Sequence, residues 1–336
     1  MAEKLIVVVG VTGQQGGSVA RVFLDEPGWR VRGITRNPEK HPHLMQQGIE
    51  LVQADLDDPA SLDKAFTGAN AIFAITDFWE VKQFLKDPKI FESAEKLGKK
   101  PNETAMELEI VHGKNMIHAA SHQLATLDRF VLSTLSDTAK WSKGEFKWNL
   151  HFDGKAHFEQ HLKQHYPELA KRSSYLQMGS YLSNRVSEHV GPKRQEDGSF
   201  VIRRLGIANG KPIPYVNPPN DTGHFVRALV LSPKAPPGSS MLGFCGLMTN
   251  EEFCALWGKV HGVQCRFQPL GYEDAVKVGM QEWMAEEVSQ SGLYTTKYGW
   301  HGGDPEMKHP EELGVEVGKL TSVEGWIRGE DWGDVM

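Results

Sequence analysis

Three glycines, Gly10, Gly13 and Gly16, stand at the spacing G-x-x-G-x-x-G between an apolar run and an amphipathic one. A turn of this kind binds phosphate: the first glycine permits the tight bend, the second lets the backbone approach a pyrophosphate, and the third lets helix pack closely on strand. The helix that follows offers unpaired N–H groups and the positive end of its dipole to the anion. Gly10-Val11-Thr12-Gly13-Gln14-Gln15-Gly16 therefore reads as the pyrophosphate cradle of a dinucleotide site. The choice between NAD and NADP falls about 20 residues further on, where an NAD site carries Asp or Glu for the ribose 2′-hydroxyl. Here the chain reads Thr35-Arg36-Asn37-Pro38-Glu39-Lys40. A guanidinium at Arg36, aided by Lys40, grips a 2′-phosphate that a carboxylate would repel, so NADP is the expected cofactor.

These residues need a scaffold that brings them to one edge. Leu5 to Val9 is a continuous aliphatic run, the pattern of a strand buried on both faces. Ser18 to Leu24 follows with Val19, Val22 and Phe23 at helical spacing. Further strands are expected at Arg30 to Thr35, Glu50 to Ala54, Ala71 to Thr76, Arg129 to Ser133 and Ser173 to Met178, with helices between them. Alternation of this kind predicts an α/β fold, a Rossmann-type doubly wound parallel sheet, with every strand's carboxyl end on one side. Asp55 and Asp77, after the third and fourth strands, would sit at that edge. Asp55 could accept from the adenine amino group, and Asp57 or Asp58 could cap the helix that starts near Pro59.

The connection after the fourth strand is long and charged. Residues 77–103 precede a helix expected from about Thr104 to His122, and are either a lid insertion or a surface helix over Phe91 to Lys96. The NADP-binding domain is taken as 1–178. Beyond it the texture turns to Gly and Pro with short apolar pieces, and 24 of the 34 glycines lie after Lys140. Residues 179–336 are expected to form a smaller α/β substrate or partner domain over the sheet's carboxyl edge, with some segments returning to the first domain. The tail from Glu311 reads as a helix docked on that second domain.

Composition sets outer limits. The 336 residues carry a net charge of −6 with 24% charged residues, which gives no electrostatic footprint for direct nucleic-acid or anionic-membrane contact. Cys245, Cys254 and Cys265 are an odd set without paired short spacings, which suits a reducing compartment better than disulfides or zinc. The apolar run before Gly10 is too short for a signal segment. A cytoplasmic or nuclear protein is expected. His157, His161 and His165 recur every four residues, yet no metalloprotease Glu or third-ligand motif accompanies them, so no metal is assigned. Lys96, Lys99 and Lys100 read as a solvated loop.

Four motifs in order resemble those of the NmrA-like proteins, an atypical branch of the short-chain dehydrogenase/reductase superfamily. They are the glycine turn, Thr35-Arg36-Asn37-Pro38, Thr76-Asp77-Phe78-Trp79-Glu80 and His151-Phe152-Asp153-Gly154-Lys155. The resemblance runs from about Leu5 to Asn184 and more loosely to Ser232. It implies NADP contacts from Gly10 through Gly16, Arg36 with Asn37 and Lys40, Asp55 with Leu56, Thr76 to Phe78, and Lys155. It also implies that Gly179, Ser180, Tyr181 and Leu182 line the nicotinamide end.

In the superfamily a Tyr four residues before the Lys delivers the proton that accompanies hydride transfer, and a Ser assists. Lys155 is present, but His151 occupies the Tyr position. An imidazole can donate a proton near neutral pH. Ser133, at the end of the fifth strand, holds the expected place of the Ser, and Tyr181 could reach the same region. Trp141, Trp148, Tyr181 and Tyr215 are expected around an apolar mouth. The family contains both oxidoreductases, many of them in secondary metabolism, and redox sensors that bind a regulatory protein partner. The pocket favours an oxidoreductase for a small apolar carbonyl, enone or imine; the missing Tyr favours a sensor.

Overall fold

The structure, a computed structural model, describes residues 3–80, 88–185 and 191–333. In the first strand Leu5, Val7 and Val9 turn to one core and Ile6 and Val8 to another, all of them buried. A strand apolar on both faces is stable only between two layers.

Six strands belong to the first 178 residues: β1 (Lys4–Val8), β2 (Trp29–Thr35), β3 (Glu50–Gln53), β4 (Ala71–Ala74), β5 (Arg129–Thr134) and β6 (Ser173–Met178). The later strands are β7 (Ser180–Tyr181), β8 (Pro192–Arg194), β9 (Phe200–Leu205), β10 (Ile213–Val216), β11 (Ser240–Gly243), β12 (Gly246–Met248), β13 (Cys265–Leu270) and β14 (Met307–Lys308). Eight of them form one sheet in the order β14-β11-β6-β5-β4-β1-β2-β3, and every ladder in it is parallel. The fold is α/β of the Rossmann type, the order 3-2-1-4-5-6 extended by two strands.

The helices that matter to the site are α1 (Gln14–Leu24), α2 (Pro59–Phe66), α3 (Pro88–Lys96), α4 (Pro101–Ser121), α5 (Leu150–His165), α6 (Pro218–Leu231), α7 (Asn250–His261), α8 (Glu282–Tyr298) and α9 (Val323–Gly329). Leu62 and Phe66 of α2, Met116 and Ile117 of α4, and Phe158 and Leu162 of α5 fill one face of the sheet. Val19 and Phe23 of α1 and Phe225 and Leu229 of α6 fill the other. Gly223 allows α6 to lie on α1, since a Cβ there would come within 2.4 Å of the Ser18 carbonyl oxygen.

The later chain leaves the sheet and returns to it. Two small sheets, β12-β10-β7 and β13-β9-β8, enclose a third core with α7 and α9 around Tyr215, Phe253 and Trp257. Between and after them, α6 covers one face of the main sheet while β11 and β14 extend its edge.

Several boundaries move for local reasons. α4 starts at Pro101 rather than Thr104 because proline suits the first helical position, and the Glu103 carboxylate accepts the Lys100 N–H at 2.8 Å. Part of the 77–103 insertion forms α3, packed against α4; residues 81–87 of the expected lid lie outside the described residues. The tail is not a single docked helix. Leu313 and Val315 pack into the core of the main sheet, whereas α9 and Trp332 join the third core. Tyr215 does not line a mouth: it is completely buried against Phe253.

Candidate functional site

The strand order reverses between β1 and β4, and the crevice beyond their carboxyl ends is where such sheets bind ligands. Gly10 leaves β1 with φ +67°, in the left-handed region. Gly13 N–H donates to the Gly10 carbonyl at 2.9 Å, closing the turn. A Cβ on Gly16 would fall 2.2 Å from that same oxygen, so no other residue fits there. α1 begins at Gln14 with Gly13 as its cap and no side chain bonded to its first N–H groups. Thr12, Gly13 and Gln14 are exposed at the mouth, while Val11 is buried beneath it. This glycine turn, opening on the uncapped N-terminus of α1, fits a pyrophosphate.

Gln15 turns inward instead. Its amide Nε2 donates to the Tyr181 hydroxyl at 2.6 Å, and its Oε1 accepts from Ser133 Oγ at 3.0 Å. The bridge ties the glycine turn to β5 and β7. Ser133 is buried and its hydroxyl donates to Gln15. Burial, reinforced by the charge of Asp77, pushes the Tyr181 phenol up to about 12 against the opposing effect of the Gln15 bond.

At the end of β2, Arg36 and Lys40 are exposed, and the strand's last residue is Thr35 and not an acid. The Arg36 carbonyl accepts from Gln53 Nε2 at 3.1 Å, and Asn37 N–H reaches Thr35 Oγ1 at 3.4 Å. After β3, Asp58 is the cap of α2, accepting from Ala60 and Ser61, while Asp55 Oδ1 accepts the Asp57 N–H at 3.1 Å. Leu56 packs against the sheet core, and its carbonyl accepts from Asn115.

After β4 the crevice holds an ion pair that no local motif announces. Lys155 Nζ donates to Thr76 Oγ1 at 2.8 Å and to Glu109 Oε1 at 2.5 Å, and Thr76 Oγ1 donates to the same Glu109 oxygen at 2.7 Å. Both ionic side chains are buried, at 12% and 2% exposure. The conformation therefore holds Lys155 against a carboxylate, not free. Gly154 leaves room for this, since a Cβ there would stand 3.0 Å from Glu109 Oε2. Asp77, next in line, is exposed and caps the following turn by accepting Trp79 N–H at 2.9 Å. Phe78 is buried against Ala105 and Leu150.

His151 lies one helical turn before Lys155. Its Nδ1 is 2.6 Å from Glu287 Oε1, and its backbone N–H donates to the same oxygen at 3.0 Å. Glu287 reaches in from α8, entirely buried, and its Oε2 accepts from Asn102 Nδ2 at 2.8 Å. Phe78, Trp79 and Phe152 surround the imidazole with ring centroids 5.8, 5.0 and 4.9 Å away. Trp148 sits nearby beneath Lys100, whose ammonium is 3.9 Å from the ring centroid and 2.6 Å from Glu286.

Gly179 is fixed by packing: a Cβ would lie 2.4 Å from the Pro214 carbonyl oxygen. Ser180 and Tyr181 form β7 beside β10, whereas Leu182 buries its side chain in the third core. Trp141 joins Phe146, Phe152, Tyr294 and Trp300 in an aromatic cluster beyond β5. Among the described residues no three His, Cys, Asp or Glu side chains are placed to hold a metal ion, and no helix is long and apolar enough to cross a membrane.

Sequence reasoning missed Glu109, Glu287 and Asn102. A signal for two of them existed: Asn102, Ala105, Glu109, Gly113 and Met116 make one buried stripe of α4, and a polar residue inside a core stripe calls for a buried partner.

Known proteins share this fold. The NmrA-like oxidoreductase hkm9 of Aspergillus hancockii is 27% identical over 97% of this chain and 96% of its own length. The NmrA-like oxidoreductase lnaB of Aspergillus flavus is 26% identical over 96% and 97%. Among solved structures, NmrA, a negative transcriptional regulator, in its complex with NAD superposes with a TM-score of 0.72 over 99% of both chains at 18% identity. The NADPH-dependent quinone oxidoreductase QOR2 of Escherichia coli, complexed with NADPH, superposes at 0.65 over 96% and 98% at 21% identity. The NmrA-like family profile covers residues 2–327. On that coverage the chain belongs to the NmrA-like family.

Proposed function

We propose that the protein is an NADP(H)-dependent oxidoreductase acting on a small, mostly apolar carbonyl, enone or imine. The observation that carries the reading is a juxtaposition: an open phosphate cradle at Gly10 to Gly16 and an imidazole clamped by a buried carboxylate share one end of the sheet. Arg36 and Lys40, with no acid beside the ribose position, support NADP over NAD. The full-length relatives named as oxidoreductases support the activity class.

When bound, the cofactor supplies or takes a hydride. The chain's own residues do the rest. The glycine turn and the N-terminus of α1 hold the pyrophosphate, and Arg36 holds the 2′-phosphate. Thr76 and Lys155 border the ribose end. His151 gives the proton to the oxygen or nitrogen of the substrate, since its imidazole lies one helical turn before Lys155, in the place of the superfamily's Tyr. Phe78, Trp79 and Trp148 make the wall around that transfer apolar. Residues 179–336 contribute the substrate side, with Tyr181 on its floor.

A second reading, a redox sensor that passes the cofactor's state to a regulatory protein, is favoured by the Lys155–Glu109 pair, which occupies the ammonium. One experiment separates the two: incubate the protein with NADPH and a panel of quinones, enones, aldehydes and cyclic imines, and titrate NADP+ and NADPH by calorimetry. Turnover above buffer supports the enzyme. Tight binding of both forms without turnover, but with different affinities, supports the sensor.

A further inference from the structure

We propose that Glu287, held by Asn102, is the positioning residue that makes His151 Nε2 the proton-transfer atom of the site. This rests on the oxidoreductase reading for its catalytic consequence, though not for its structural one.

The argument starts from cost. Glu287 has no exposed surface, and an ionised carboxylate is buried only where strong donors surround it. Its donors all belong to the site wall. Oε1 accepts the backbone N–H of His151, in the first turn of α5, where negative charge also meets the helix dipole. The same oxygen meets His151 Nδ1, and Oε2 takes Asn102 Nδ2. Asn102 is itself fully buried, which keeps the carboxylate from rotating away.

A carboxylate only accepts, so the proton between the two residues resides on Nδ1. That leaves Nε2 as the nitrogen that gains and loses a proton. The aromatic box of Phe78, Trp79 and Phe152 confines the ring to this orientation. In reduction, hydride reaches the substrate carbon, the π bond to oxygen or nitrogen breaks, and the heteroatom takes the proton from Nε2–H of the imidazolium. The ring is left neutral with its proton on Nδ1, and solvent restores the other. A carboxylate, an imidazole and a substrate in this order divide the labour between orientation and proton transfer.

A merely structural Glu287 would only tie α8 to α5. Two measurements tell the cases apart. In 15N NMR of the wild type, neutral His151 is expected as the Nδ1–H tautomer, the minor form of free histidine; an Nε2–H tautomer overturns the proposal whether or not the protein turns over any substrate. In E287Q, kcat is expected to fall 10- to 100-fold with the NADPH dissociation constant within threefold of wild type, and E287D is expected to restore part of the loss. Unchanged kcat in folded E287Q overturns the positioning role. If the wild type shows no turnover on any substrate, the oxidoreductase reading fails, and the tautomer still decides the placement of the proton.

Discussion

Gln15 Nε2 and the Tyr181 hydroxyl, 166 residues apart in sequence, meet at 2.6 Å across the mouth of the glycine turn. The phosphate cradle is thus braced by the later half of the chain. Gln15→Leu removes this bond and leaves the buried Ser133 hydroxyl without its acceptor, which costs about 1–3 kcal/mol. Urea denaturation should show that loss, and calorimetry should show weaker NADPH binding. Tyr181→Phe should keep turnover within about threefold, because a phenol pushed up to about 12 is mismatched to proton donation near neutral pH. A hundredfold loss would transfer the donor's role from His151 to Tyr181.

Cofactor choice should follow Arg36. Replacing it with Asp puts a carboxylate where the 2′-phosphate would lie, so the NADP/NAD affinity ratio should fall by roughly 10- to 100-fold. The ratio of dissociation constants measured by fluorescence titration is the readout, and an unchanged ratio removes Arg36 from the site.

Lys155 cannot be tested by a single substitution. Lys155→Met strands the Glu109 carboxylate in the protein interior, and breaking a buried pair from one side costs on the order of 3–5 kcal/mol. The double variant K155M/E109Q should recover most of that stability in thermal melts. Any activity lost in the double variant then belongs to the ammonium and not to unfolding.

Asp153, in the turn of helix between the two site residues, predicts a pH effect. Burial raises its carboxyl to about 6 against the backbone bonds from Thr138 and Ala139. The unfolded chain releases this proton near pH 4, so between about 4 and 6 the folded state binds more protons and stability falls as pH rises. Asp153→Asn should flatten that slope and raise stability at pH 7 by up to about 3 kcal/mol. Melting temperatures at pH 4.5 and 7 provide the check.

The parts of the site that were legible in the sequence are local. Gly10, Gly13 and Gly16 announce themselves by spacing, and Leu5 to Val9 by continuous apolarity, because each signal lies within one turn or one strand. The partners that define the chemistry are distant. Glu109 is 46 residues from Lys155, and Glu287 is 136 from His151; nothing in the intervening chain records that they meet. Ser133 and Tyr215 meet partners that the sequence did not announce, for a related reason. Position at a strand end says which edge a residue reaches, while the direction of its side chain depends on what packs beside it, Gln15 in one case and Phe253 in the other.

The return of β11, β14 and α6 to the main sheet fixes the order of assembly. A ribosome that has released only the first 178 residues leaves β6 with an open hydrogen-bonding edge and the α1 surface around Ser18 and Val22, on which α6 packs, uncovered. Such an intermediate invites strand pairing with a neighbouring chain. Native closure must wait until residues near 315 have emerged. Recombination with a relative at residue 178 would split the sheet and its covering helix between two parents.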